Sequence, residues 1–198
     1  MTALEKQFEY HYHVISSDGF LNRRGLGNEV PFFISTFPAE QQVQADRLVD
    51  ALHKRLVSEG KEVLKIDLFG FCLEQLDQQG VLDDYIECEP QLDKNELKHA
   101  LVATLDVQRK LAPAIAQLLS KQDWAVLFLT GVGKVYPLIR THTVLANLQS
   151  ISKSQPTVLF FPGRYTFVDG SGSSMDLFGV LNEDRYYRAF NLNNYQLQ

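Results

Sequence analysis

The sequence predicts an α/β protein, with a mainly parallel sheet of about four strands, flanking helices and a C-terminal antiparallel β-hairpin. Three observations carry that expectation. Short apolar runs rich in β-branched and aromatic residues recur at "VPFFIS", "KEVLKIDLFG", "WAVLFLT" and "PTVLFFPG". Between them lie segments whose apolar residues return at every third and fourth position, the spacing of one helix face. After the last run the text turns to Gly and Ser and then to closely spaced short strands. Strands alternating with helices imply parallel pairing under a helical layer, whereas adjacent short strands imply a hairpin.

"VPFFIS", residues 30–35, is bounded by polar residues and reads as a buried strand. After Pro38, Ala45, Leu48, Val49, Leu52 and Leu56 form one face of a helix, Glu40, Asp46, Asp50 and Lys54 the other, and Gly60 ends it. "KEVLKIDLFG" follows as a strand, so the three elements imply a parallel pair joined by a right-handed crossover. In "NELKHALVATLDVQRKLAPAIAQLLSKQ" the stripe Leu97, Leu101, Leu105 and Leu111 runs on until Pro113, which should kink or restart the helix. "WAVLFLT", residues 124–130, is continuously apolar, as a central strand buried on both faces would be. "YPLIRTHTVLANLQSI" reads as a helix with Pro137 in its first turn and an inner stripe of Leu138, Leu145 and Leu148. "PTVLFFPG" is the fourth strand. "GRYTFVDGSGSS" reads as a flexible loop, and "MDLFGVLNEDRYYRAFNL" as two strands around a turn at Asn182-Glu183-Asp184. No repeat or linker interrupts the series, so residues 1–198 are expected to form a single α/β domain.

Composition narrows the function classes. With 45% hydrophobic residues the chain can bury roughly 70% of the surface its unfolded form exposes. No 18-residue apolar run suggests a membrane span, and "MTALEKQFEYHYH" lacks the basic and then apolar blocks of a signal peptide, so a cytoplasmic protein is expected. Two cysteines, Cys72 and Cys88, are too few for a disulfide framework or a four-cysteine zinc site. His11 and His13 alternate as strand neighbours do. The net charge of −5 is unevenly spread, with 18 acids against 10 bases in residues 1–99 and 6 against 9 in residues 100–198. Most of the excess falls in "EQLDQQGVLDDYIECEPQLDKNE", read as a solvated connection. Without a basic stripe, phosphate-driven binding of nucleic acid is not expected.

The segment "LTGVGKVYPLIRTH", residues 129–142, poses the question of a phosphate loop. A Walker loop counted back from Gly133-Lys134 needs glycine where Phe128 stands and a hydroxyl where Val135 stands. A dinucleotide fingerprint needs a third glycine where Tyr136 stands. What survives is a sharp turn at Gly131 and Gly133, next to Lys134, at the carboxyl end of a strand, where the next helix N-terminus could hold an anion weakly. Arg140 and His142, two apart on a helix, would be separated by roughly 200°, so Arg140 is expected to face outward and His142 inward. Asp67, closing a strand, is the best single carboxylate candidate, and one carboxylate is not a mechanism. Catalytic residues and metal ligands are expected to be absent.

"GNEVPFFIS", "LTGVGKVYPLIRTHTVLANLQ", "PTVLFFPG" and "LFGVLNEDRYYRAF", in this order, closely resemble the small B-protein family of the BREX bacteriophage-exclusion systems. The similarity runs from about Gly27 to Leu192, with residues 24–193 as family core and 1–23 as an N-terminal extension. The resemblance implies an antiviral role beside an AAA-type ATPase, an adenine DNA methyltransferase and an alkaline-phosphatase-like protein, with no cofactor. It carries over Thr130, Gly131, Gly133, Tyr136, Pro137, Arg140, His142, Pro162 and Gly163 as a functional or interaction face. The element order is also similar to a P-loop NTPase core lacking a Walker A loop. The reading that follows is a non-enzymatic scaffold or adaptor, binding through the helix after Gly133, the tail hairpin or both. The alternative is a nucleotide- or nucleic-acid-responsive module using Gly131, Gly133, Lys134, Arg140 and Arg164.

Overall fold

Thr2 and Glu5 open the chain with a reciprocal cap: the Thr2 hydroxyl accepts from the Glu5 amide at 3.2 Å and the Glu5 carboxylate accepts from the Thr2 amide at 2.7 Å. In the computed structural model, which describes residues 1–22, 31–149, 151–152, 154–168, 172–185 and 189–196, this cap starts helix α1 (Ala3–Ser16). Satisfying orphan amides at both ends of the first turn favours helix, and Leu4, Phe8, His11, Val14 and Ile15 then fall on one buried face. His11 and His13 are therefore helical residues, not the strand neighbours their alternation suggested. A single turn, α2 (Asp18–Leu21), adds Phe20 to the same core.

The elements that follow are β1 (Phe32–Phe37), α3 (Gln42–Ser58), β2 (Val63–Asp67), α4 (Leu68–Gln78), α5 (Leu82–Cys88) and α6 (Lys94–Leu105). After them come α7 (Ala112–Leu119), β3 (Val126–Thr130), α8 (Val132–Val135), α9 (Thr141–Leu148), β4 (Thr157–Val168), β5 (Gly172–Leu177), β6 (Leu181–Arg185) and β7 (Phe190–Asn191). The order across the parallel sheet is β2-β3-β4-β1-β7. All four expected strands are present, and the short β7 adds a fifth, pairing Phe33 with Phe190 and Ile34 with Asn191. One expectation fails. β1 and β2 are not a pair, because the connection through α3 carries the chain past two strand positions that β3 and β4 later fill.

Alternating side chains along the central strands supply both faces of the sheet. Phe33, Phe37, Val126, Phe128, Val158 and Phe160 meet α1 and α3, whereas Phe32, Ile34, Leu127, Leu129, Leu159 and Phe161 meet the helices of the other layer. α3 buries Ala45, Val49, Leu52 and Leu56 as its spacing requires. No helix among the described residues is long and apolar enough to cross a membrane.

Four local expectations are corrected by packing. The long helical stripe breaks at Asp106, where φ is 25°, and not at Pro113. One turn of π-helix, Val107–Leu111, follows, and Pro113 sits unobtrusively in the first turn of α7. The acidic stretch is helical, its α5 carrying no buried residue. Finally, "GRYTFV" is strand, because β4 continues beyond the parallel sheet and pairs antiparallel with β5, from Gly163 opposite Leu177 to Val168 opposite Gly172. The β5–β6 turn uses Phe178, Gly179 and Val180, which leaves Asn182-Glu183-Asp184 within β6. Residues 169–171 of the loop reading and Val30 of the first strand reading lie outside the described residues.

The chain ends are clasped by a buried polar network. His11 is fully buried; its Nε2 lies 3.1 Å from Asn193 Oδ1 and its Nδ1 3.4 Å from Ser35 Oγ. Asn193 in turn donates through Nδ2 to the Thr36 carbonyl and hydroxyl at 3.1 and 2.9 Å. That orientation turns Oδ1 towards the ring, so His11 is neutral with its proton on Nε2, and Ser35 donates to Nδ1. Burial lowers the His11 pKa from 6.5 to about 4, a shift that the Asn193 hydrogen bond partly opposes.

Candidate functional site

The glycine turn owes its composition to close packing. Gly131 has φ 77° and begins α8; a Cβ placed on it would lie 2.1 Å from Asp67 Oδ1 and 3.1 Å from the Phe69 amide nitrogen. Asp67 is held there because its other oxygen accepts from the Gly70 amide at 3.3 Å, capping α4. The positive φ and the carboxylate alongside both demand glycine. Gly133 has no such φ, but a Cβ there would meet Pro162 Cγ at 2.9 Å and the Phe178 ring at 3.0 Å. At Gly163 the obstacle is the Asp176 carbonyl oxygen, 2.1 Å from a Cβ, because β5 pairs alongside β4 there. Each glycine thus leaves room for a neighbouring segment that a side chain would displace.

Gly133 and Pro162 both meet Phe178. It sits at φ 56°, a region that bulky residues rarely adopt, and its amide donates to the Pro162 carbonyl at 2.8 Å. The ring rests edge to face with Tyr136, at a centroid distance of 6.3 Å. Even so, Phe178 is 39% exposed and Val180 beside it 79%. Phe69, on the Gly131 side of α8, is 40% exposed. The result is an apolar knob at the carboxyl end of the sheet. A backbone penalty on the order of 1–3 kcal/mol is borne there by a residue that does not complete its own burial.

Lys134 points elsewhere. Its ammonium pairs with Asp46 of α3 at 3.0 Å, at the mouth of a cleft of about 250 Å³ lined by Asp50, Lys65, Asp67 and Thr130 as well. The Asp46 hydrogen bond raises the Lys134 pKa, with Asp67 and Asp50 adding to the effect. Three carboxylates against two ammonium groups make the cleft net negative, which disfavours an anion, and one-turn α8 offers little helix dipole.

The remaining expected residues do not join this cleft. Tyr136 lies with Phe178. Arg140 precedes α9 in extended conformation and is exposed, while His142, half-buried, is the second helical residue. The 200° helical argument therefore does not apply to the pair; the fully turned-in residue is Thr141, between them. Arg140 lines a separate groove with Lys98, Val102 and Ile139. Arg164 is exposed on the hairpin half of β4, opposite Asp176. Sequence reasoning missed Phe178 and Val180 because it placed the turn too late; the dipeptide Phe178-Gly179 amid alternating apolar residues was the available signal. It also missed Asp46 as the partner of Lys134, for which a contact between distant elements leaves no local trace. Cys72 is buried, and burial together with the Asp67 charge pushes its thiol up to about 12, far from a reactive thiolate. Among the described residues no group of three His, Cys, Asp or Glu side chains could hold a metal ion.

The comparisons with known proteins bear on the same region. The family model described as BREX protein BrxB matches residues 64–192, which include α8 and the hairpin knob. A BREX protein BrxB of Bacillus cereus (strain H3081.97) is 32% identical over 180 residues, 90% of this chain and 91% of the relative. A second, of Escherichia coli O9:H4 (strain HS), is 31% identical over 180 residues, 90% of this chain and 86% of the relative. No solved structure matches.

Proposed function

The chain belongs to the BrxB family of BREX proteins, components of a phage-exclusion system, and on that premise we propose that it is a non-enzymatic scaffold that docks another component of the system on the knob around Phe178. One observation carries the reading. Gly133, Tyr136, Pro162 and Phe178, from three separate segments, converge to hold an exposed aromatic ring in an unfavourable backbone conformation. Exposed aromatic and aliphatic side chains on a rigid support are the usual anchors of protein interfaces. The candidate partners are the AAA-type ATPase, the alkaline-phosphatase-like protein and the adenine DNA methyltransferase that the family resemblance implies, in the cytoplasm.

The test is co-purification of the tagged chain with these components, comparing the parent with Phe178→Asp/Val180→Asp. Retention of at least one component should fall by about tenfold or more, the loss of a hot-spot anchor, and phage protection should fall with it. The melting temperature should stay close to the parent value, since both side chains are substantially exposed. Unchanged retention of all three components would sink the proposal. The nucleotide-responsive alternative is disfavoured by the acidic cleft around Lys134. It predicts a thermal shift with nucleotide or short DNA worth about 2.7 kcal/mol at a hundred times the dissociation constant, abolished in Lys134→Ala; the scaffold reading predicts no shift.

A further inference from the structure

Residues 77–104 leave the core. Every one of them is half-buried or exposed, including Ile86 at 58%, Leu92 at 37% and Val102 at 41% exposure. Val81, just before α5, and Leu82 and Tyr85 within it turn inward, and the Tyr85 hydroxyl meets Thr104 of α6 at 2.5 Å. Asp83, Asp84 and Glu87 are therefore left on the outer side of α5, with Glu89, Asp93 and Glu96 close behind in sequence and Lys94 the sole basic residue among them.

The other side of α6 borders a groove of about 540 Å³. Its floor is apolar, with Val102, Leu105, Leu138 and Ile139, and among the described residues its rim carries Lys98, His99 and Arg140 with one acid, Asp106. Asp106 is already engaged, accepting from the Arg109 amide at 3.0 Å and lying 3.9 Å from the Arg109 guanidinium. Half-buried Lys98 has no carboxylate within ion-pair distance among the described residues. The groove thus offers a cationic rim above an apolar strip, which suits a helix bearing acids and one or two aliphatic side chains.

The chain itself contains such a helix. The geometry points to a symmetric dimer in which the acidic α5 of one copy, with Ile86 and Leu92 as apolar anchors, fits against the Lys98, His99 and Arg140 groove of the other. Acidic and basic-apolar patches flank α6 side by side, so a two-fold axis near α6 sets each patch against its complement on the second copy. Such a surface is self-complementary and closes as a pair. This inference concerns a different face from the Phe178 knob and does not depend on it.

Analytical ultracentrifugation of the full chain over a wide concentration range tests it. The parent should reach about twice its 22.5 kDa mass, with weaker association in high salt because the steering charges are exposed. Lys98→Glu/Arg140→Glu and, separately, Asp83→Lys/Asp84→Lys/Glu87→Lys should each weaken association by about tenfold or more. Mixing the two variants should restore it, since each then offers the charge the other lacks. A parent that stays monomeric throughout, or a dimer that ignores both reversals, overturns the inference. A monomeric parent whose co-purified component is lost only in the Lys98→Glu/Arg140→Glu variant overturns it too, and gives the groove to that component's acidic segment.

Discussion

α3 and α6 are both amphipathic helices beside one sheet, and they end in opposite states. α3 spans 17 residues and buries Ala45, Val49, Leu52 and Leu56 against Phe128, Val158 and Phe160. α6 spans 12 residues, is properly capped by Asp93 and Glu96, and buries only Leu105. The difference lies in what each helix finds beneath it. α3 crosses central strands that present large side chains at every second position, while α6 hangs on the edge of the fold beside another exposed helix. Capping starts a helix, but only a complementary surface holds most of it in place. One helix is committed to stability and the other is left available for contact.

The largest effect should come at Gly131, outside both helices. Gly131→Val should cost on the order of 4 kcal/mol, the left-handed conformation and the overlap with Asp67 each contributing. Chemical denaturation reads this directly, and a loss below about 1 kcal/mol would mean that the turn rearranges cheaply. Gly133→Val should also destabilise, through Pro162 and Phe178 and not through φ.

A matched pair sharpens the contrast itself. Leu56→Ala in α3 should cost about 3 kcal/mol, and Val102→Ala in α6 less than about 0.5 kcal/mol. Similar losses at the two positions would show that α6 is as integral to the fold as α3.

His11 gives the fold a pH dependence. Its folded pKa of about 4 lies below the unfolded value of 6.5, so the unfolded chain takes up the proton first and stability falls as pH drops through that window. Between pH 7 and pH 5 the loss should be about 2 kcal/mol. The slope should flatten in His11→Gln whatever that variant costs at neutral pH. An identical slope in parent and variant would mean that His11 is protonated without penalty.

The smallest expected change is Lys134→Ala. Its pair with Asp46 is partly exposed, so about 0.5 kcal/mol or less should be lost. A drop of several kcal/mol would reveal a structural role for the cleft.

The regular parts of the fold were legible from the residues alone. A helix face and a strand buried on both sides leave their period in the text, which is why α3, β3 and the start of β4 lie where spacing put them. The candidate site was legible in its glycines, Tyr136 and Pro162, and not in Phe178 or Val180. Gly131 announces a turn, but its reason is Asp67, 64 residues earlier and brought alongside by the pairing of Asp67 with Thr130. Local chemistry misled where two signals competed. Asn182-Glu183-Asp184 has turn composition, yet the turn formed at Phe178 because the Pro162 carbonyl was there to accept its amide. "GRYTFV" opens on the glycine of a Pro-Gly pair that usually ends a strand, yet β5 gave it a partner. At Pro113 the breaker was harmless, since a first-turn proline lacks only an amide that would have stood unpaired.

By itself, then, the sequence determined an α/β chain with helices over parallel strands, and its motifs determined its kinship, because patterning and motif order are local properties of the text. Strand order, the pairing of Lys134 with Asp46, the separation of Arg140 and Arg164 from the Lys134 cleft, and the aromatic knob at Phe178 were decided by the tertiary structure. Each depends on which distant segments share a surface. That choice is made by the summed burial of the two sheet faces, a quantity that no single stretch of residues contains.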